Sequence, residues 1–178
     1  MSSADSCLSC APPAAAAAAV LRQCAAFVRT LPDGCYATPC DALMGSTIGQ
    51  HLRHSVDHVS AILAGMDAGV IDYDHRDRGV PIETDADLAV RTLEDLSARL
   101  AGVDSAAAAT PVKVRVMLTS DGTTTDLETT VGRELAFAAH HETHHHAMMS
   151  AIAGLQGHEA PAGFGVAPST LSFESAGA

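Results

Sequence analysis

Eight of the ten histidines in this 178-residue chain sit on two segments whose apolar residues recur at helical spacing. His51, His54 and His58 lie on the first, and His140, His141, His144, His145 and His146 on the second. An imidazole in an apolar helix face must stay neutral and find a partner, because burial disfavours the charged ring. Two such helices therefore predict a helical packing with a polar seam. A transition metal satisfies that seam directly, since imidazole is its commonest side-chain ligand and an i, i+4 pair brings two rings to one ion.

The rest of the chain reads as further helices. Residues 1–13 form a leader ending at Pro12-Pro13, and a helical period runs from Ala14 to about Arg29 with Val20, Leu21, Cys24 and Val28. Leu31-Pro32-Asp33-Gly34 stops it by turn chemistry, and Cys35 to Gly45 reads as loop. Ser46 or Thr47 can cap a second helix to about Asp67, carrying Ile48, Leu52, Val56, Val59, Ile62, Leu63 and Met66, with Gly65 and Gly69 marking its end. Val70 to Thr84 reads as a polar loop, and Thr84 as the cap of a third helix from Asp85 to about Ala101. Val112, Val114 and Val116 alternate with polar neighbours, Ser120-Asp121-Gly122 turns, and Thr123–Thr129 returns, which predicts a hairpin. Thr129 or Thr130 caps a fourth helix to about Gln156, and the tail 161–178 reads as loop. The expectation is an all-α four-helix bundle over 14–160 with a small β-hairpin between helices three and four.

Composition narrows the partners. Aromatics make up 3% of the chain and Trp is absent, so small aliphatic residues must fill the core. The net charge of −11 comes without a basic stripe, which argues against nucleic acid. No apolar run approaches the roughly 20 residues a membrane span needs. Five cysteines and no basic leader predict reduced thiols in the cytoplasm. Cys7-x-x-Cys10 lacks a second such pair to complete a zinc site and reads as two thiols on a frayed end.

A helical wheel orders the histidines of the fourth helix. The mean direction of Val131, Leu135, Ala138, Met148, Met149, Ile152 and Leu155 falls between His141 and His145. His144 flanks that stripe, while His140 and His146 point away toward solvent. On the second helix His51, His54 and His58 fall within about 60° of one another at the stripe's edge. There the wheel leans slightly to His51 or His58 and does not choose.

Two motifs narrow the choice. Thr47-Ile48-Gly49-Gln50-His51-Leu52-Arg53-His54 resembles the second-helix motif of the DinB/YfiT-like metalloenzyme family, and His141-Glu142-Thr143-His144-His145 resembles its H-x-x-H-H signature. The order of elements over about residues 14–170 is similar as well. The resemblance implies a three-histidine site of His54, His141 and His145, a divalent ion that is zinc, nickel or iron, open positions for water, and a homodimer. The chain departs from the family where an Arg commonly follows the last ligand, for His146 stands there.

Three neutral imidazoles leave a divalent ion its full charge, so bound water is acidified and a thiol binds as thiolate. The implied activity is transfer of a low-molecular-weight thiol to a small-molecule substrate, or hydrolysis. The competing class is a non-catalytic, metal-stabilised binding or stress-response module. No catalytic residue is assigned. Glu142 points about 100° from His141 and reads as a solvated carboxylate. Asp57 could orient a ligand or be solvated likewise. Tyr73, Arg76 and Arg78 could recognise an anion or form ordinary surface ion pairs.

Overall fold

A computed structural model describes residues 10–177. It is mostly helical, with α1 (Pro12–Val28), α2 (Ile48–Ala68), α3 (Ala86–Leu100), α4 (Ser105–Ala108), α5 (Val131–Leu155) and α6 (Pro168–Ala176). Strands β1 (Val70–Asp72), β2 (Pro111–Met117) and β3 (Thr124–Thr130) form one small sheet in that order. Among the described residues no helix is long and apolar enough to cross a membrane.

The helix starts follow capping chemistry. Thr47 and Gln50 form a reciprocal capping box at α2, so each side chain satisfies a backbone N–H that the helix leaves open. Thr130, not Thr129, caps α5. Asp85, not Thr84, caps α3 by accepting from Leu88 N at 2.8 Å, while the Thr84 hydroxyl turns back to Pro81 O. The first helix begins at Pro12, two residues earlier than the pattern suggested, because a proline ring presets the first helical turn.

Alanine sets how closely the helices approach. Ala14, Ala17, Ala18 and Ala25 are buried on α1, which packs on both α3 and α5. α2 packs on α5 and α3. α5 is therefore held between α1 and α2 and buries two faces instead of one.

The hairpin of β2 and β3 is antiparallel from Pro111↔Thr130 to Met117↔Thr124. A third strand was not foreseen. Val70–Asp72, read as the start of a polar loop, pairs in parallel with Lys113–Arg115 of β2. Ile71 is fully buried there because α2 carries Gly65 opposite it, where any Cβ would collide with the Ile71 side chain. Gly65 is thus a packing residue, whereas Gly69, at φ 76°, ends the helix. The tail also departs from a loop, since Pro168–Ala176 is helical with no buried residue. Cys10 is anchored by a bridge to Asp104 and a thiol contact to Leu100 O, so no frayed end begins there; Cys7 lies outside the described residues.

The segment from Tyr73 to Glu83 is tied to α2 by charge. Arg53, itself buried, donates Nε to Glu83 Oε1 at 3.1 Å and Nη1 to Asp57 Oδ2 at 2.7 Å. Glu83 Oε1 also accepts from Gly79 N at 3.0 Å. Removing one member of a buried pair leaves the other charge uncompensated. Glu83→Ala is expected to lower the free energy of unfolding by about 3 kcal/mol, read from urea denaturation. A loss within experimental error would show that Asp57 alone satisfies Arg53.

Candidate metal centre

Helices α2 and α5 face one another through their imidazoles. One ring nitrogen each from His54, His58 and His141 lie within 4.8 Å of one another, a grouping able to hold a metal ion. His141 Nε2 is 3.0 Å from His54 Nε2 and 3.1 Å from His145 Nε2. Ligand nitrogens on a shared ion, each about 2.0–2.1 Å from it, stand roughly 3 Å apart. A neutral imidazole nitrogen forms one N–H···N bond to a neighbouring ring, either giving or taking the proton. His141 Nε2, with two ring nitrogens at that distance, is better satisfied by a cation than by protons.

Burial keeps these rings neutral. It is the leading cause at each: the pKa of His54 falls to about 2, that of His58 to about 3 and that of His145 to about 3. Neighbouring imidazoles push further in the same direction, and the Arg76 guanidinium adds to the effect at His54, His58 and His141. His51 and His141 are lowered too, by burial first and His144 second.

Aromatic walls fix the ring planes. Tyr73 stacks on His58 at 4.6 Å and 17°, and Phe137 on His141 at 5.5 Å and 16°. The Tyr73 hydroxyl donates to Glu134 Oε2 at 2.8 Å, which pins that wall to α5. Phe137 was not foreseen, although it lies one helical turn before His141.

A relay leads outward from His145. His145 Nδ1 lies 3.0 Å from His51 Nδ1, His51 Nε2 lies 3.2 Å from Ser46 Oγ, and the Ser46 hydroxyl donates to Leu43 O at 2.7 Å. One proton arrangement satisfies the whole chain. His145 Nδ1–H donates to His51, His51 Nε2–H donates to Ser46, and His145 Nε2 keeps a free lone pair toward His141. Such an outer partner fixes tautomer and ring orientation.

Two expectations fail on the other face of α5. His146, read as solvated, is 1% exposed, and Glu142, read as a solvated carboxylate, is 0% exposed. The wheel assumed one inward stripe, whereas α5 also meets α1. His146 stacks under Phe164 at 4.4 Å and 12°, and Phe164 in turn stacks on Phe27 of α1. Burial lowers the His146 pKa to about 4 and raises that of Glu142. Neither side chain has a hydrogen-bond partner among the described residues. His140 and His144 are exposed. Asp57 is half-buried and held by Arg53, not by a histidine, and burial raises its pKa against that pull.

Two predictions follow from this geometry. Protein stripped of metal should lose stability as the pH falls below 6.5, the unfolded value for histidine, because the unfolded chain then binds protons that the folded rings refuse. Glu142 and Asp57, both raised by burial, oppose this, but they are two groups against His51, His54, His58, His141, His145 and His146. Thermal melts between pH 7.5 and 5.5 check the sign, and a rising midpoint on acidification would refute it. His51→Ala should weaken metal binding about 10- to 100-fold while the ligands remain; competition with a chromogenic chelator measures it.

A protein from Rhizopus delemar named FK506-binding protein 5 is 32% identical over 103 residues, which covers 57% of this chain. The match spans 27% of that protein's length, about a quarter of it. No solved structure matches the chain. The profile of the DinB superfamily matches residues 16–149, a stretch that takes in α2, the hairpin and the histidines of α5, and the chain belongs to that superfamily.

Proposed function

We propose that this chain is a metal-dependent enzyme whose divalent ion is held by His54, His141 and His145. The four long helices are read as one bundle of the DinB/YfiT type, with the hairpin between the third and the last of them. The observation that carries the reading is the meeting of three Nε2 atoms at His141, at 3.0 and 3.1 Å. The relay through His51 supports His145 as the third ligand, since it frees the nitrogen that faces His141. His58 supplies the alternative third nitrogen, in the group with His54 and His141 whose ring nitrogens all lie within 4.8 Å of one another.

A divalent ion there would supply Lewis-acid chemistry, acidifying a water or thiol near neutral pH. The ion would be zinc, nickel or iron, each suited to imidazole. The chain's own contribution is to hold three neutral rings and to wall them with Tyr73 and Phe137. His54, His141 and His145 are each half-buried, and partial exposure of that kind suits a catalytic site more than a closed structural one. The favoured reaction is transfer of a low-molecular-weight thiol to a small electrophile, with hydrolysis second, by a cytoplasmic homodimer.

Metal analysis of untagged protein tests the ligand set. About one equivalent of divalent metal is expected, as one three-histidine site requires. His54→Ala, His141→Ala and His145→Ala should each lose it, and His58→Ala and His140→Ala should keep it. Metal retained by His145→Ala but lost by His58→Ala would move the site to His54, His58 and His141. Chelation should leave the fold cooperative; collapse on chelation would favour the non-catalytic module.

A further inference from the structure

A cleft of about 800 Å³ lies between α2 and the segment 72–80, and Tyr73, which stacks on His58, is the lining residue that joins it to the histidine cluster. Its apolar floor includes Ala61, Ala64 and Val80, and its rim carries Asp57, Asp72, Asp74 and Asp77. Arg76 is its guanidinium. In a chain with 21 acidic against 10 basic residues, an arginine among four aspartates would ordinarily be paired. Arg76 makes no ion pair among the described residues.

For three of the four aspartates the reason is visible in the neighbours. Asp57 is held by Arg53 at 2.7 Å. Asp72 accepts from the backbone N–H groups of Asp74 and His75 and pairs with the His75 ring. Asp74 accepts from Met117 N at 2.6 Å. Arg76 itself donates Nη1 to Tyr73 O at 3.1 Å, its Nε is buried without a partner, and Nη2 bonds to none of the described residues. Tyr73 is the residue that stacks on His58, so the guanidinium is hung from the wall of the metal centre. Its charge is felt at His54, His58 and His141.

A half-buried, unpaired guanidinium is an anion site, since its planar fork accepts an oxyanion through charge-assisted bonds. The aspartate rim repels a dianion more than a monoanion. We propose that Arg76 anchors the carboxylate of a small monoanionic substrate in this cleft, with its carbon chain on the Ala61–Val80 floor and its reacting end toward the histidines. This deepens the metal reading above and rests on it for the second half of the statement.

The test pairs two thiols that differ only in charge. Protein loaded with cobalt(II), its metal content verified, is titrated with mercaptopropionate and with mercaptopropanol, following the sulfur-to-cobalt absorption. Wild type should prefer the carboxylate by about tenfold, the effect of one charge-assisted hydrogen bond. Arg76→Gln should bind the same cobalt and the same mercaptopropanol but lose the preference. No preference in wild type, or a preference that survives in Arg76→Gln, overturns the proposal. Failure to load cobalt would instead count against the metal reading, and the anchor is then judged on protein as purified. Acetate should move the Arg76 Nε–H cross-peak in nitrogen–proton NMR where chloride does not. No movement, or equal movement with inorganic phosphate, overturns the carboxylate site.

Discussion

The packing of α5 between α1 and α2 is the constraint on which the rest depends. A helix at the edge of a bundle hides one stripe and can leave its polar residues in water. α5 has no such freedom, because α2 covers the side bearing His141 and His145 and α1 covers the side bearing Glu142 and His146. The small side chains of α1 make this arrangement feasible. Four buried alanines let that helix come close without large side chains of its own, which a chain so poor in aromatics could not supply.

The two faces answer burial differently. Toward α2, desolvation keeps the imidazoles neutral and turns their nitrogens toward one another, so the cost of burial becomes a set of free lone pairs. The rings are held by stacking on Tyr73 and Phe137 and by the His51–Ser46 chain, none of which consumes the nitrogen at His141. Toward α1, Glu142 and His146 are drier still and find no hydrogen-bond partner among the described residues, and His146 stacks on the Phe164 ring. One helix thus carries a convergent polar cluster and a scattered one, and only the convergent cluster has metal-ligand geometry.

This difference also explains what could be read from the residues alone. The long helices were legible because their apolar residues keep a 3.6-residue period, and Thr47 and Thr130 declare their caps. His141 and His145 were legible for the same reason, being central to one stripe. Glu142 and His146 were not, because a second buried face inverts the meaning of a polar residue and the wheel carries no term for α1. His54 could not be separated from His51 and His58 by angle, since all three share a side of α2; their roles diverge through partners on α5. β1 was hidden because Val70-Ile71-Asp72 is too short to show alternation and becomes a strand only when β2 arrives beside it. Gly65 looked like a helix end for want of that same neighbour.

Charge is apportioned along the segment 72–83 by geometry, not by proximity in sequence. Arg53 immediately precedes His54 on α2, and its two carboxylate partners draw the guanidinium along the helix surface, away from the imidazoles. Glu83 closes that segment by accepting from both Arg53 and Gly79, which fixes where the intervening residues must run. Asp72 and Asp74 are then spent on backbone N–H groups of the turn and of β2. Arg76 is left without a carboxylate among the described residues although carboxylates line its cleft, as is the exposed Arg78 two residues on. An unpaired guanidinium beside neutral histidines is a point of positive charge inside an acidic rim, and it is the group that an incoming carboxylate would meet. Arg53 and the amide of Met117 maintain it, because they hold Asp57 and Asp74, the two carboxylates whose charge acts on Arg76.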